Sequence, residues 1–365
     1  MSAAVTQPRT QQTPAGGDYG YANARIRGMR SRLLDRAYLD MLISAPNVKQ
    51  LVQELDGTEY GQDVEEALIH GVDATNVDLA LKSNMVRTFR KVQSFLNPEA
   101  HYLVATLLGR WDVFNVKTIL RAKQLQLGTD ELSEGLLPAG ELSVVDLEEL
   151  ASVEDVRAVV DTAVTWGLPI AVPLREGYAE FMKTGELVSL ELALDRYYTE
   201  WAARRLSRRG KNPKLARRVL ATQIDVGNLV MVLRLQKEDI TEIDAANYFL
   251  PGGAVIDIGL YETLTGMSDI DEVLDRLRAT PYGKSLDDTA MIFLEQNSIS
   301  VFERALEDLL TRRTLGLAKG DPLGVGVSIA YLWAKQNEIT NLRIIVRGKA
   351  VGMPVERVRK ELILV

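Results

Sequence analysis

The chain of 365 residues contains no cysteine and two histidines. The first absence excludes disulfides, thiolate metal sites and a cysteine nucleophile, and it suits a reducing compartment. The two histidines, His70 and His101, stand 31 positions apart with no HxxxH or HExxH pairing, so nothing in their spacing points to zinc. No Gly-rich loop ends in Lys-Ser or Lys-Thr, and the lone "GVG" at 324–326 reads as a turn before a helix, so phosphate binding has no support. No GxSxG motif suggests a serine nucleophile. Uninterrupted apolar runs of about 18 residues are also missing, and with them any expected membrane span. The opening "MSAAVTQPRTQQTPAGG" has no apolar core, so residues 1–17 are expected to be a disordered tail and not a signal peptide.

Present instead is an ordinary globular composition, 46% hydrophobic and 25% charged, with 43 basic against 50 acidic residues. The resulting net charge of −7 is the wrong sign for a free nucleic-acid binder, although local basic patches exist. The acidic residues between Asp130 and Asp155 have no evident catalytic partner and read as a solvated face with helix-start acids.

One motif is written three times. "DVFNVKTILRAK" (112–123), "DVGNLVMVLRLQK" (225–237) and "EITNLRIIVRGK" (338–349) share an acid, an Asn three residues later and an Arg six beyond that. Asn115, Asn228 and Asn341 are spaced by 113 residues each time, as are Arg121, Arg234 and Arg347. Other segments echo the same period: "LPAG" (137–140) returns as "LPGG" (250–253), and "DLALK" (78–82) as "ELALD" (191–195). A gapless match joins 38–61 to 260–283 at an offset of 222, while 150–167 carries a weaker version of it. Within each motif the aliphatic residues fall at offsets 0, 3, 6 and 7, the stripe of an amphipathic helix. The expected architecture is therefore all-α, with repeats at 18–137, 138–250 and 251–365 after the tail. A unit of about 113 residues is nearer a small domain than a solenoid repeat. Three such units can close around a pseudo-threefold axis into a funnel, by analogy with cyclic oligomers.

Asn is a poor mid-helix residue, because its amide competes for backbone hydrogen bonds. Its threefold recurrence has two readings: a polar bridge inherited with the fold, or one set of Asn and Arg side chains lining a central opening. The first is preferred, since buried polar groups need partners and copied folds inherit the same ones.

Two basic segments stand out. One carries Arg25, Arg27 and Arg30, with Arg32 and Arg36 following; the other carries Arg204, Arg205, Arg208, Arg209 and Lys211, with Lys214, Arg217 and Arg218 following. Charge runs are often only solvated. The functional reading is a patch facing lipid headgroups or an acidic partner. Nucleic acid ranks below both, because no aromatic platforms are interleaved with the charge.

"YGYANARIRGMRSRLL" (19–34), "RTFRKV" (87–92), "RWDVFNVKTILRAK" (110–123) and the later Asn–Arg copies resemble the C subunits of the prokaryotic V/A-type ATPases, the family that includes the d subunit of the eukaryotic V-ATPase. The resemblance spans roughly 18–360, and the tail before Asp18 departs from it. It implies a non-enzymatic central-stalk subunit with no cofactor and no metal, present in single copy. It also implies contact with the shaft subunits on one side and the membrane proteolipid ring on the other, peripherally at the cytoplasmic face. A helical scaffold of unrelated machinery and a nucleic-acid-binding helical protein are the competing readings.

Overall fold

A computed structural model describes residues 19–69, 71–237 and 245–365, which leaves the tail, His70 and 238–244 outside the described residues. The described residues form nineteen α-helices and one short 3-10 turn, with no strand among them. No helix among them is long and apolar enough to cross a membrane.

Short polar residues start many of the helices. Asp35, Asn47, Asp73, Asp155, Asp257 and Asp269 each cap a helix by accepting a backbone N–H three residues on. Ser143 and Asp146 form a reciprocal capping box. Asn97 caps the Pro98–Leu108 helix, where Pro98 occupies the first turn, the position at which its missing N–H costs nothing. Several acids between residues 141 and 155 are thus structural: Asp146 and Asp155 cap helices, and Glu141 pairs with Arg205 at 3.0 Å.

The three motifs lie on the helices Arg110–Gln124, Lys211–Lys237 and Gly326–Ala350. A separate helix, Pro98–Leu108, precedes the first motif helix across Gly109; the other two motifs lie in single long helices. Pro98–Leu108, Lys211–Lys237 and Gly326–Ala350 pack pairwise against one another.

The apolar side chains sort into three clusters. Val113, Val116, Ile119 and Leu120 are buried with residues of 132–194. Val226, Leu229, Val232 and Leu233 are buried with residues of 256–310. Ile339, Leu342, Ile345 and Val346 join a cluster that includes Ile26, Leu42, Leu51, Leu55 and Phe89. The first two stripes are buried by the segment that follows them in sequence, and the third by the segment that begins the chain. Close-packed interiors deform little, so each crossing stiffens the link between consecutive parts.

Candidate functional site

The repeated polar residues make the same contacts at three places. Asn115 Nδ2 donates to Leu137 O at 2.8 Å, and Leu137 N donates back to Asn115 Oδ1 at 2.7 Å. Asn228 does the same with Leu250, at 2.9 Å in both directions. Asn341 does it with Ile363, at 3.0 Å in both directions. The partner is 22 residues downstream each time, and the three asparagines are 0%, 0% and 1% exposed. A side-chain amide presents a donor and an acceptor side by side, so it can satisfy both backbone groups of one residue of a passing strand of chain. An ionised Asp only accepts and Leu does neither, which accounts for an amide on this helix face.

The acid one turn earlier holds the next stretch of chain. Asp112 accepts from Glu141 N at 2.8 Å and Leu142 N at 3.0 Å. Asp225 accepts from Ala254 N, Val255 N and Ile256 N at 2.9 to 3.2 Å, and from the Tyr282 hydroxyl at 2.8 Å. The glycines of "LPAG" and "LPGG" make room for this: a Cβ at Gly140 would stand 2.1 Å from Asp112 Oδ1, and one at Gly253 would stand 2.2 Å from Asp225 Oδ1. Glu338 does not hold the stretch that follows its clamp. It reaches back instead and accepts from Leu34 N and the Tyr60 hydroxyl, with Lys335 Nζ at 3.1 Å.

The arginines follow the same rule. Arg121 makes a bidentate pair with Glu191, 2.6 Å on each arm, and Arg234 pairs with Glu303 at 2.7 Å. Arg347 returns to the start of the chain and meets Asp78 at 3.3 Å. Residues 78 and 191 are the first positions of "DLALK" and "ELALD", 113 apart. Burial pulls the Asp78 carboxyl upward, but Arg343, Arg347 and Lys82 outweigh it and hold it below the usual carboxylate range. Each motif helix therefore carries a clamp, an acid and an arginine, which together make a joint. The contacts of the last joint close onto residues 34, 60 and 78.

The joints differ in burial. Asp225 is 0% and Glu338 5% exposed, whereas Asp112 is only partly buried. Burial nevertheless pushes the Asp112 carboxyl up to about 6. Burial also raises the Tyr60 and Tyr282 hydroxyls, which stay protonated donors, and it lowers Lys335.

The two basic segments lie near one another, both touching the turn at 321–322. Asn212 donates to the Tyr19 hydroxyl at 2.8 Å, which ties the second segment to the start of the first. Arg27 donates to Pro322 O at 2.6 Å, and Lys211 pairs with Asp321 at 3.3 Å. Arg25 stacks over Phe95 at 4.4 Å, and Arg205 and Arg208 over Tyr102 at 4.5 and 4.3 Å. Arg204 pairs with Glu200 one turn back at 3.3 Å. Arg30 and Arg209 are exposed. Tyr21 and Trp201 also stack on Arg25 and Arg205, four residues away, but sequence patterning misses Phe95, 70 residues from Arg25, and Tyr102, about a hundred from Arg205 and Arg208.

The "GVG" segment is the turn that enters the Gly326–Ala350 helix. His101 is exposed. Among the described residues no three His, Asp or Glu side chains are grouped to hold a metal ion. Tyr60 and Tyr282 are visible in the sequence as equivalent positions of the 38–61 and 260–283 match, but not as partners of the motif acids.

Comparison with known proteins points the same way over nearly the whole chain. It is 30% identical to the C subunit of the A-type ATP synthase of Methanocaldococcus jannaschii, over 94% of this chain and 86% of that one. It is 29% identical to the C subunit of the V-type ATP synthase of Deinococcus radiodurans, over 99% and 95%. It is 30% identical to the C subunit of the A-type ATP synthase of Halorubrum lacusprofundi, over 94% and 97%. Residues 22–361 match the profile of the ATP synthase (C/AC39) subunit, and the chain belongs to that family.

Proposed function

We propose that this protein is the non-catalytic subunit of a rotary A/V-type ATP synthase that couples the central shaft to the membrane proteolipid ring. In this reading the units 18–137, 138–250 and 251–365 close around a pseudo-threefold axis and form a funnel. The observation that carries it is the third joint: Glu338 and Arg347 find their partners at residues 34, 60 and 78 instead of in a segment further on. A row of units would keep the last acid and arginine away from the first segment, whereas a closed ring brings them to residues 34, 60 and 78. A ring braced by three equivalent polar joints suits a part that must pass on torque without deforming. Asn115, Arg121, Asn228, Arg234, Asn341 and Arg347 act as internal braces of the ring and not as a lining of its opening. The two neighbouring basic segments, with exposed Arg30 and Arg209, face lipid headgroups or acidic partner surfaces at the cytoplasmic face.

The test is purification of a tagged copy from native membranes at low salt, with mass spectrometry of what accompanies it. Co-purification of a small proteolipid together with shaft subunits is expected, and raising the salt should loosen the assembly through its charged rims. Recovery of soluble partners alone, with no ATP synthase component, would overturn the reading.

A further inference from the structure

One side chain sets the joint of Asp112 apart from the other two. Tyr60 and Tyr282 sit just before the helices Gly61–Leu68 and Gly283–Gln296, where their carbonyls accept from Val64 N and Leu286 N. At the joint of Asp112 the residue in that place, just before the Ala171–Thr184 helix and accepting from Leu174 N, is Ile170. An isoleucine is shorter than a tyrosine and has no hydroxyl. The joint of Asp112 therefore lacks both a ring and a donor that the other two contain.

A cavity of about 250 Å³ stands at this place, lined by Asp112, Leu168, Ile170, Tyr197, Tyr198 and Trp201 among others. Apolar cavities of about 150 Å³ already hold a benzene molecule, so a single six-membered ring fits. The carboxylate of Asp112 accepts two backbone N–H groups and has lone pairs to spare, since its two oxygens together offer about four acceptor sites. At the sister joint Asp225 accepts from three backbone N–H groups and the Tyr282 hydroxyl at once. The same carboxylate geometry thus tolerates a phenolic donor in addition to its backbone cradle.

We propose that the cavity beside Asp112 is a binding site for a small phenol. Its ring takes the place that Tyr60 and Tyr282 fill at the other joints, and its hydroxyl donates to the Asp112 carboxylate. Aromatic walls from Tyr197, Tyr198 and Trp201 favour an aromatic ring over an aliphatic alcohol. The hydrogen bond to an ionised acceptor sets phenol apart from benzene. The ligand completes the joint, so it stabilises the folded chain.

The experiment is titration of the full chain with phenol and, separately, with benzene at pH 7.5, followed by calorimetry and by thermal unfolding. Saturable phenol binding that raises Tm is expected, about tenfold tighter than benzene, as for one hydrogen bond to a charged group. Methyl-labelled protein should show contacts from the phenol ring to the Ile170 and Leu168 methyl groups. Ile170→Tyr should raise Tm on its own and abolish the phenol response. Absence of saturable binding overturns the proposal, as does phenol binding no tighter than benzene. Phenol binding that persists unchanged in Ile170→Tyr does the same. Should that variant fail to fold, the phenol–benzene comparison on the unaltered chain still decides.

Discussion

The joints around Asp112 and Asp225 are built from the same plan and finished differently. Both have the asparagine clamp, the glycine that lets the acid approach, and the arginine pairing with an acid some seventy residues on. At Asp225 the carboxylate is fully buried and receives a tyrosyl hydroxyl; at Asp112 it is partly buried and borders a cavity. Buried charge is tolerated only when its hydrogen-bonding capacity is used. An isoleucine in place of a tyrosine at position 170 thus goes with a more open joint. The comparison teaches that the backbone contacts are what makes a joint, while the hydroxyl makes it tight.

Removing a clamp should have the largest effect at either joint. Asn228→Ala leaves both backbone groups of Leu250 without their partner and should cost about 3 kcal/mol in urea unfolding. Asn115→Ala should cost a similar amount, and a loss below about 1 kcal/mol at either joint would mean that water replaces the amide. Next comes the glycine that admits the acid. Gly253→Ala drives a Cβ into Asp225, which has no room to retreat, and should cost about 2 to 4 kcal/mol. Gly140→Ala should cost about half of that, because Asp112 can shift toward its cavity. Equal costs would erase the distinction between the two joints.

Tyr282→Phe should cost about 1 to 2 kcal/mol, since Asp225 keeps its backbone donors but loses the hydroxyl. The acidity of Asp112 gives an effect of similar size with a pH signature. Its carboxyl is raised from 3.8 to about 6 by folding, so the folded chain binds this proton more readily than the unfolded one. The contribution is fully present below pH 4 and is lost as the pH rises through 6, by about 1 to 3 kcal/mol. Measured between pH 4 and 7, wild type should lose stability relative to Asp112→Asn, and parallel curves would exclude the shift. The smallest effects belong to the arginines. Arg121→Ala and Arg234→Ala break ion pairs whose arginine is more than half exposed, and each should cost less than about 1 kcal/mol.

The asparagine spacing of 113 makes the repeat legible along the chain, and the 0, 3, 6, 7 stripe makes it helical. The job of the asparagine is harder to see there. Its partners Leu137, Leu250 and Ile363 are ordinary apolar residues contacted through their backbone, which leaves no mark on residue type. Only "LPAG" and "LPGG" hint at the acid cradle, through their glycines. The basic segments are legible as charge but not as structure, because Phe95, Tyr102 and Pro322, which hold several of those arginines, are remote in sequence.

Sequence alone determined the helical class, the threefold recurrence and the family resemblance, because periodicity and repeated motifs are local patterns along the chain. The tertiary structure alone decided that the last joint returns to the first segment, that Ile170 stands where tyrosines stand elsewhere, and that a cavity results. Those facts depend on which distant residues are packed side by side, and packing in three dimensions settles that after the local pattern has been spent.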